Sequence, residues 1–260
     1  MGKVLAITNR KGGTGKSTTS ISLGAGLARL GKKVLIIDAD SQHSATVSLG
    51  VKEPDKLAVS LATVMQSIIR EQEIDPLDGI ISHDEGISLM PSNNGLAGME
   101  IVLAPIIGRE TILRQYINMV RNHFDYVLLD TAPTLDLLAI NALAAADSVI
   151  IPVAPKFLDA RGLELLLKSI GQTRQYINPS LEIGGILLTM VDRRANITKN
   201  IIAMIKQAYG ESIIIYKEPI PQSVRAVETS ATGKSIFEHD PKGKVALAYA
   251  SLAREVLESA

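Results

Sequence analysis

The chain has 260 residues, no cysteine, a formal net charge of zero, 46% hydrophobic residues and only 3% aromatics. The lack of cysteine excludes disulfides, thiolate metal sites and cysteine-ligated iron–sulfur clusters, and the balanced charge argues against a surface coated throughout by nucleic acid. A large, almost wholly aliphatic core suits a doubly wound, mostly parallel α/β sheet flanked by helices, with residues 1–260 forming one domain. No run reaches the ~18 apolar residues of a membrane span, and the chain opens directly in a strand-like run, so a cytoplasmic protein without stable membrane association is expected.

Lys3 to Thr8 is a short apolar strand, and Asn9 to Thr19 reads as a phosphate-binding loop entering a helix. Gly12, Gly13 and Gly15 let the backbone turn tightly and aim N–H groups at anionic oxygens, with the helix N-terminus adding partial positive charge. Lys16 is placed to reach the β- and γ-phosphates and Ser17 to offer a hydroxyl to magnesium, while Thr14 and Thr18 complete the nucleotide-binding segment. The usual spacing, GxxxxGK[ST], wants a glycine where this chain has Arg10, and a second cation, Lys11, follows it. Leu23, Leu27 and Leu30 then recur at helical spacing up to Gly31, a C-terminal stop.

Val34 to Ile37 is the next strand and ends in Asp38-Ala39-Asp40, acidic residues at the crevice where parallel sheets bind ligands. Asp40 is the better candidate to orient an attacking water and Asp38 to support the metal shell. Helical pieces are expected around Leu57 to Arg70 and Pro76 to Ile81, then a strand at Ile87 to Met90 and a helix marked by Ile112, Leu113, Tyr116 and Val120. Tyr126 to Leu129 is a buried strand capped by Asp130, the pattern of a carboxylate that holds magnesium near Ser17. Strands follow at Val149–Val153, Gly185–Thr189 and Ile213–Tyr216, and the segment from Met190 is a natural place for a nucleotide base. The C-terminal helix carries Val245, Tyr249, Leu252 and Val256 on one face and lacks the basic polar face of a membrane-surface helix, so it is expected to pack on the sheet. Gly233-Lys234-Ser235 repeats a GKS triplet without a preceding strand and reads as a surface turn. His43, His83, His123 and His239 have no metal-ligand spacing. Charge is uneven: seven basic and three acidic residues lie between Arg193 and Lys234, three basic and nine acidic between Val51 and Glu100.

The double-lysine loop, Asp38-Ala39-Asp40, the Asp130 strand, Leu187-Leu188-Thr189-Met190 and the Ile220-Pro221 turn, in that order, resemble the deviant Walker A branch of the P-loop NTPases, the ParA/MinD family, and within it the short ParA/Soj partition ATPases. The resemblance implies a slow, magnesium-dependent ATPase. Lys16 would serve the chain's own ATP, while Lys11 reaches across a homodimer seam at Gly12. It makes Ser41, where proline is common, part of a less rigid switch segment, and places Pro221 and Ser223 against adenine. It further implies an ATP-switched dimer on nonspecific double-stranded DNA, nucleoid-associated and discharged by a ParB-like centromere-binding protein. Arg194 and Arg225, then Arg193, Lys199 and Lys234, are the candidate DNA contacts; Gln222 stands where many relatives carry a basic residue. The phosphate loop begins at residue 9, so no N-terminal helix-turn-helix or operator binding is expected. The alternative is a MinD-like or cargo-positioning ATPase acting on a protein assembly, and a further one a metabolic enzyme using the same loop.

Overall fold

The computed structural model describes residues 1–156 and 159–259. Strand β1 (Lys3–Ile7) passes through the phosphate loop into α1 (Lys16–Arg29), and β2 (Val34–Ala39) follows. Helices α2 (Ser44–Ser48) and α3 (Leu61–Ile69) precede β3 (Ile81–Ser82) and β4 (Ile87–Met90). Next come α4 (Met99–Leu103), α5 (Ile112–Val120), β5 (Tyr126–Thr131), α6 (Leu137–Ala145) and β6 (Ser148–Val153). The chain continues through α7 (Asp159–Tyr176), β7 (Glu182–Leu188), α8 (Asn196–Tyr209), α9 (Val224–Thr232), α10 (Ile236–His239) and α11 (Lys244–Glu258).

The strands form one sheet in the order β3-β4-β2-β5-β1-β6-β7, parallel except for β3 against β4. Alternation of side chains across each strand splits the core in two. Val4, Ala6, Leu35, Ile37, Val127 and Leu129 face one layer, built on α3 to α8. Leu5, Ile7, Val34, Ile36, Tyr126 and Leu128 face the other, built on α1, α10 and α11. Both sheet faces are therefore dry, as the continuous aliphatic strands require. Each fully buried Leu or Ile contributes about 1.5–3 kcal/mol of transfer free energy. Strand β1 lies between β5 and β6, so the chain departs in opposite directions on either side of it and opens a crevice at its carboxyl end. Helix α11 packs on the sheet through Val245, Tyr249, Leu252 and Val256, all at most 3% exposed.

Three expected elements differ. The helix expected from Leu57 begins at Leu61, because the Ser60 N–H donates to Thr63 Oγ1 at 2.8 Å and fixes the start. Pro76–Ile81 is not helical: Asp75 Oδ1 accepts from Leu77 N at 2.9 Å, the chain turns, and Gly79 at φ +76 sends it into β3. Ile213–Tyr216 is not a strand but bridges β7 at Ile186, whose N–H donates to Ile214 O at 2.8 Å and whose carbonyl accepts from Tyr216 N at 3.0 Å. Pro219, which has no N–H to offer a ladder, follows at once. Pairing resumes where Ile220 N donates to Leu188 O at 2.8 Å, leaving an edge of isolated bridges.

Candidate active site

The phosphate loop is pinned at both shoulders. Asn9 Nδ2 donates to Pro152 O on β6 at 2.7 Å while its Oδ1 accepts from Lys11 N at 3.1 Å, and Thr189 Oγ1, just past β7, donates to Thr14 O at 2.8 Å. Between these anchors Gly13 and Gly15 sit at φ +69 and +84, conformations that cost an L side chain. Gly15 is the N-cap of α1, which has no side-chain cap and no acid in its first turn, so its N–H groups are left for an anion.

Lys16 is buried, and its Nζ donates to Lys11 O at 3.2 Å. Burial pushes its ammonium pKa down, and the Asp130 and Asp40 charges oppose that. Parallel register places Asp38 beside Asp130 on adjacent strands, both fully buried. Asp130 Oδ1 accepts from Ser20 Oγ at 2.8 Å, whereas its Oδ2, equally buried, has no hydrogen-bond partner. Burial, reinforced by the Asp38 charge, lifts the Asp130 carboxyl to about 7 against the pull of the Ser17 and Ser20 hydroxyls. Burial likewise lifts Asp38 to about 6, with the Thr46 and Asp40 donors opposing.

Asp38 also organises the segment after β2. Its Oδ2 accepts from Thr46 N at 2.7 Å and Thr46 Oγ1 at 2.6 Å, and its Oδ1 from Asp40 N at 3.1 Å. Ser92, beyond β4, donates its N–H to Thr46 Oγ1 at 2.9 Å and its hydroxyl to Asp40 O at 2.8 Å. Asp40 thus reaches the crevice from a fixed backbone.

Two cavities meet over the loop. One, of about 320 Å³, is lined by Gly12, Gly13, Gly15, Lys16, Ser17, Thr18, Asp40, Gln42 and Pro133. The second, about 420 Å³ and mostly apolar, is lined by Pro221, Ser223, Val224, Val227 and Tyr249. Gly15, Thr18 and Met190 line both, so polyphosphate in the first and a flat base in the second would be continuous.

The family model described as an AAA domain matches residues 2–183. The chain is 40% identical over 259 residues to the sporulation initiation inhibitor protein Soj of Bacillus subtilis, covering 98% of each. It is 35% identical to the chromosome partitioning protein ParA of Caulobacter vibrioides, covering 98% of this chain and 94% of that protein. It belongs to the ParA/Soj-type partition ATPases. The structure of cobyrinic acid a,c-diamide synthase from Mycobacterium smegmatis with bound ATP analogue and magnesium superposes at TM-score 0.86 and 33% identity, covering 99% and 95% of the two chains. The double-lysine ATPase is thus an ATP- and magnesium-dependent enzyme on a P-loop NTPase fold. Among the described residues no cluster of three or more His, Cys, Asp or Glu forms an all-protein metal cage. The Asp130 carboxyl, with its Oδ2 unpartnered and the Ser17 hydroxyl acting on the same group, suits a hard cation that keeps water and phosphate ligands.

In this partition ATPase the candidate DNA residues do not form one patch. Arg193 and Arg194 share a groove with Lys244, and Arg193 Nη2 lies 2.7 Å from Glu218 Oε1. Arg225 on α9 lies 3.2 Å from Glu228, and Lys199 is exposed on α8. Lys234 sits elsewhere, in a cleft with Arg29, His83 and Glu85, and Ser235 beside it is buried, so the GKS triplet is only partly a surface turn. The sequence reading missed Ser20, Thr46, Ser92 and Thr189. Only Ser20, one helical turn after Lys16, carried a local signal; the others are brought in by tertiary contact.

Proposed function

We propose that this ATPase is a DNA-segregation switch, one domain over residues 1–260. With ATP it forms a sandwich homodimer, binds duplex DNA without sequence preference, and is reset by slow hydrolysis stimulated by a ParB-like centromere-binding partner. One observation carries the reading. Gly12 is exposed at the mouth of the phosphate cavity, and a Cβ built on it would meet nothing nearer than Pro133 Cβ at 3.9 Å. The loop therefore has no internal reason to lack a side chain there, and close approach by a second copy supplies one.

In this reading Lys16 holds the chain's own ATP and Lys11 of each subunit reaches the nucleotide of the other, with Gly12, Gly13, Thr14, Gly15 and Thr18 presenting backbone and hydroxyl donors. Ser17 and Asp130, supported by Asp38, would hold magnesium, which would supply charge neutralisation to the phosphates. Asp40 orients water for in-line attack, and the two lysines and loop N–H groups stabilise the charge that develops. Pro221 and Ser223 contact adenine. Arg194 and Arg225, with Arg193, Lys199 and Lys234, neutralise DNA phosphates, so dimerisation doubles the contacts and the counterions released. No helix among the described residues is long and apolar enough to cross a membrane, and the protein acts in the cytoplasm on the nucleoid.

Binding of nonspecific duplex is measured with ATP, ADP and no nucleotide over a salt series, for wild type and Arg225→Ala. Binding confined to ATP, steeply salt-dependent, with a slope reduced by about one in Arg225→Ala, is expected. Dimerisation with ATP but no DNA binding under any condition would replace this reading with protein positioning, and Gln222 would be its first explanation.

A further inference from the structure

A further, larger cavity lies outside the nucleotide site. It is a groove of about 910 Å³ lined by Arg193, Arg194, Glu218, Gln222, Lys244 and Leu247. The Pro221-Gln222 turn separates it from the base cavity, since both residues line both spaces. The partition is built from backbone: Val191 N donates to Ile220 O at 3.0 Å and Gln222 N to Val191 O at 3.3 Å. On the groove side the Arg194 N–H donates to Asp192 Oδ1 at 3.0 Å, fixing the turn that carries both arginines.

Lys244 is the first residue of α11, fifty positions beyond Arg194 in sequence but on the same groove. Its helix is locked in the core through Val245 and Tyr249, so the ammonium is presented from a rigid base. The lining is partly aliphatic, with Leu247 exposed and Ala248 buried. Three cations converging on an open trough match a run of phosphodiesters better than a compact anion. Against them stands Glu218, whose carboxylate already holds the Arg193 guanidinium at 2.7 Å in a pair exposed on both sides. A phosphate and a carboxylate present the same pair of acceptor oxygens to an arginine, so one displaces the other.

We infer that the groove takes the phosphodiester backbone of duplex DNA, that Lys244 is its third cationic contact, and that Glu218 is a built-in competitor that holds Arg193 off DNA. This rests on the DNA-binding reading above. An exposed ion pair is weak enough for a polyanion to displace, and displacing it lowers affinity by a modest factor. Glu218 keeps the single-copy groove partly neutral, so that useful affinity needs two grooves held together.

Fluorescence anisotropy of nonspecific duplex with ATP, across a salt series, tests this on wild type, Lys244→Gln, Glu218→Gln and Arg225→Ala, with thermal melts confirming that each is folded. Lys244→Gln is expected to bind more weakly and to lower the slope of log affinity against log salt by about one. Glu218→Gln is expected to bind roughly two- to fivefold more tightly, the scale of one exposed ion pair. Opposite signs on one groove are not produced by a general loss of structure. An unchanged slope in Lys244→Gln, or unchanged or weaker binding by Glu218→Gln, overturns the inference while an effect of Arg225→Ala keeps the DNA reading. Failure of wild type to bind DNA overturns both.

Discussion

Substituting alanine separately at Gly12 and Gly13 separates two physical reasons for a glycine. At Gly12 the backbone is not left-handed and the nearest atom to a new Cβ is Pro133 Cβ at 3.9 Å, ordinary van der Waals contact. Gly12→Ala therefore removes unfolded-state freedom without native strain and should stabilise the isolated subunit by about 0.4–1 kcal/mol. Gly13 has equally open surroundings but φ +69, so Gly13→Ala should cost about 1–2 kcal/mol through backbone conformation alone. Two methyl groups on adjacent residues thus differ by roughly 1.5–3 kcal/mol in the apoprotein. Urea unfolding without nucleotide reads that difference, and sedimentation velocity with ATP reads dimerisation. There Gly12→Ala, the more stable subunit, should be the one that fails to pair. Normal ATP-dependent dimers of Gly12→Ala would refute the placement of Gly12 at a seam; destabilisation by more than 1 kcal/mol would refute the open-space reasoning itself.

Lys11→Ala should bind ATP but lose turnover, because the bonds that Lys11 N and O make with Asn9, Thr14 and Lys16 are main-chain and survive truncation. Wild-type phosphate release by that variant would end the trans-lysine role. Asp40→Ala should lower turnover by roughly 10²- to 10⁴-fold and accumulate the ATP dimer; a monomer under ATP, seen by light scattering, would count against the assignment. Asp130→Asn tests the raised carboxyl directly. Its folded pKa of about 7 exceeds the unfolded ~3.9, so native protein binds the proton more tightly. The stability this confers is full below ~3.9 and lost as pH rises through about 7. The apo variant should therefore gain on wild type across that window, by an amount on the order of a few kcal/mol at neutral pH, while losing magnesium-dependent nucleotide affinity. A pH-independent difference in melting would show that the folded state does not raise the carboxyl.

What the sequence revealed of the fold depended on how local the cause was. The strands at Lys3–Ile7, Val34–Ala39 and Tyr126–Thr131 are aliphatic runs buried on both faces, and the carboxylates ending two of them announced the crevice. The loop was legible because glycine, lysine and serine spacing is itself the mechanism. Pro76–Ile81 misled because a proline followed by apolar residues fits a helix start equally well, and the Asx turn from Asp75 decides otherwise. Ile213–Tyr216 has strand composition, but an edge position beside Pro219 leaves it one bridge. Thr46 and Ser92 were invisible for a different reason: each acts through a hydrogen bond to an aspartate at least eight residues away, and no periodicity encodes that.

Those two residues bear on the segment around Ser41, where the family resemblance leads one to expect a proline. Ser41 has an N–H and a freer φ than proline, and on sequence grounds the turn should be loose. Yet the residue before it is held at three backbone points: Asp40 N donates to Asp38 Oδ1 at 3.1 Å, and Asp40 O accepts from Ser92 Oγ at 2.8 Å and from His43 N at 2.9 Å. The Asp40 side chain in turn accepts from Gln42 N at 2.8 Å. The anchor of this network is a carboxylate, Asp38, that sits on a central strand and is fully buried. Rigidity that a proline supplies by covalent constraint is supplied here by hydrogen bonds to the sheet. The strain appears one step later, at His43, which takes φ +46 where glycine is favoured. Ser92→Ala should therefore loosen Asp40 more than Ser41→Pro tightens it, and hydrogen exchange at the Asp40 and His43 amides measures both. Equal protection in wild type and Ser92→Ala would mean that the turn, not the network, positions the carboxylate.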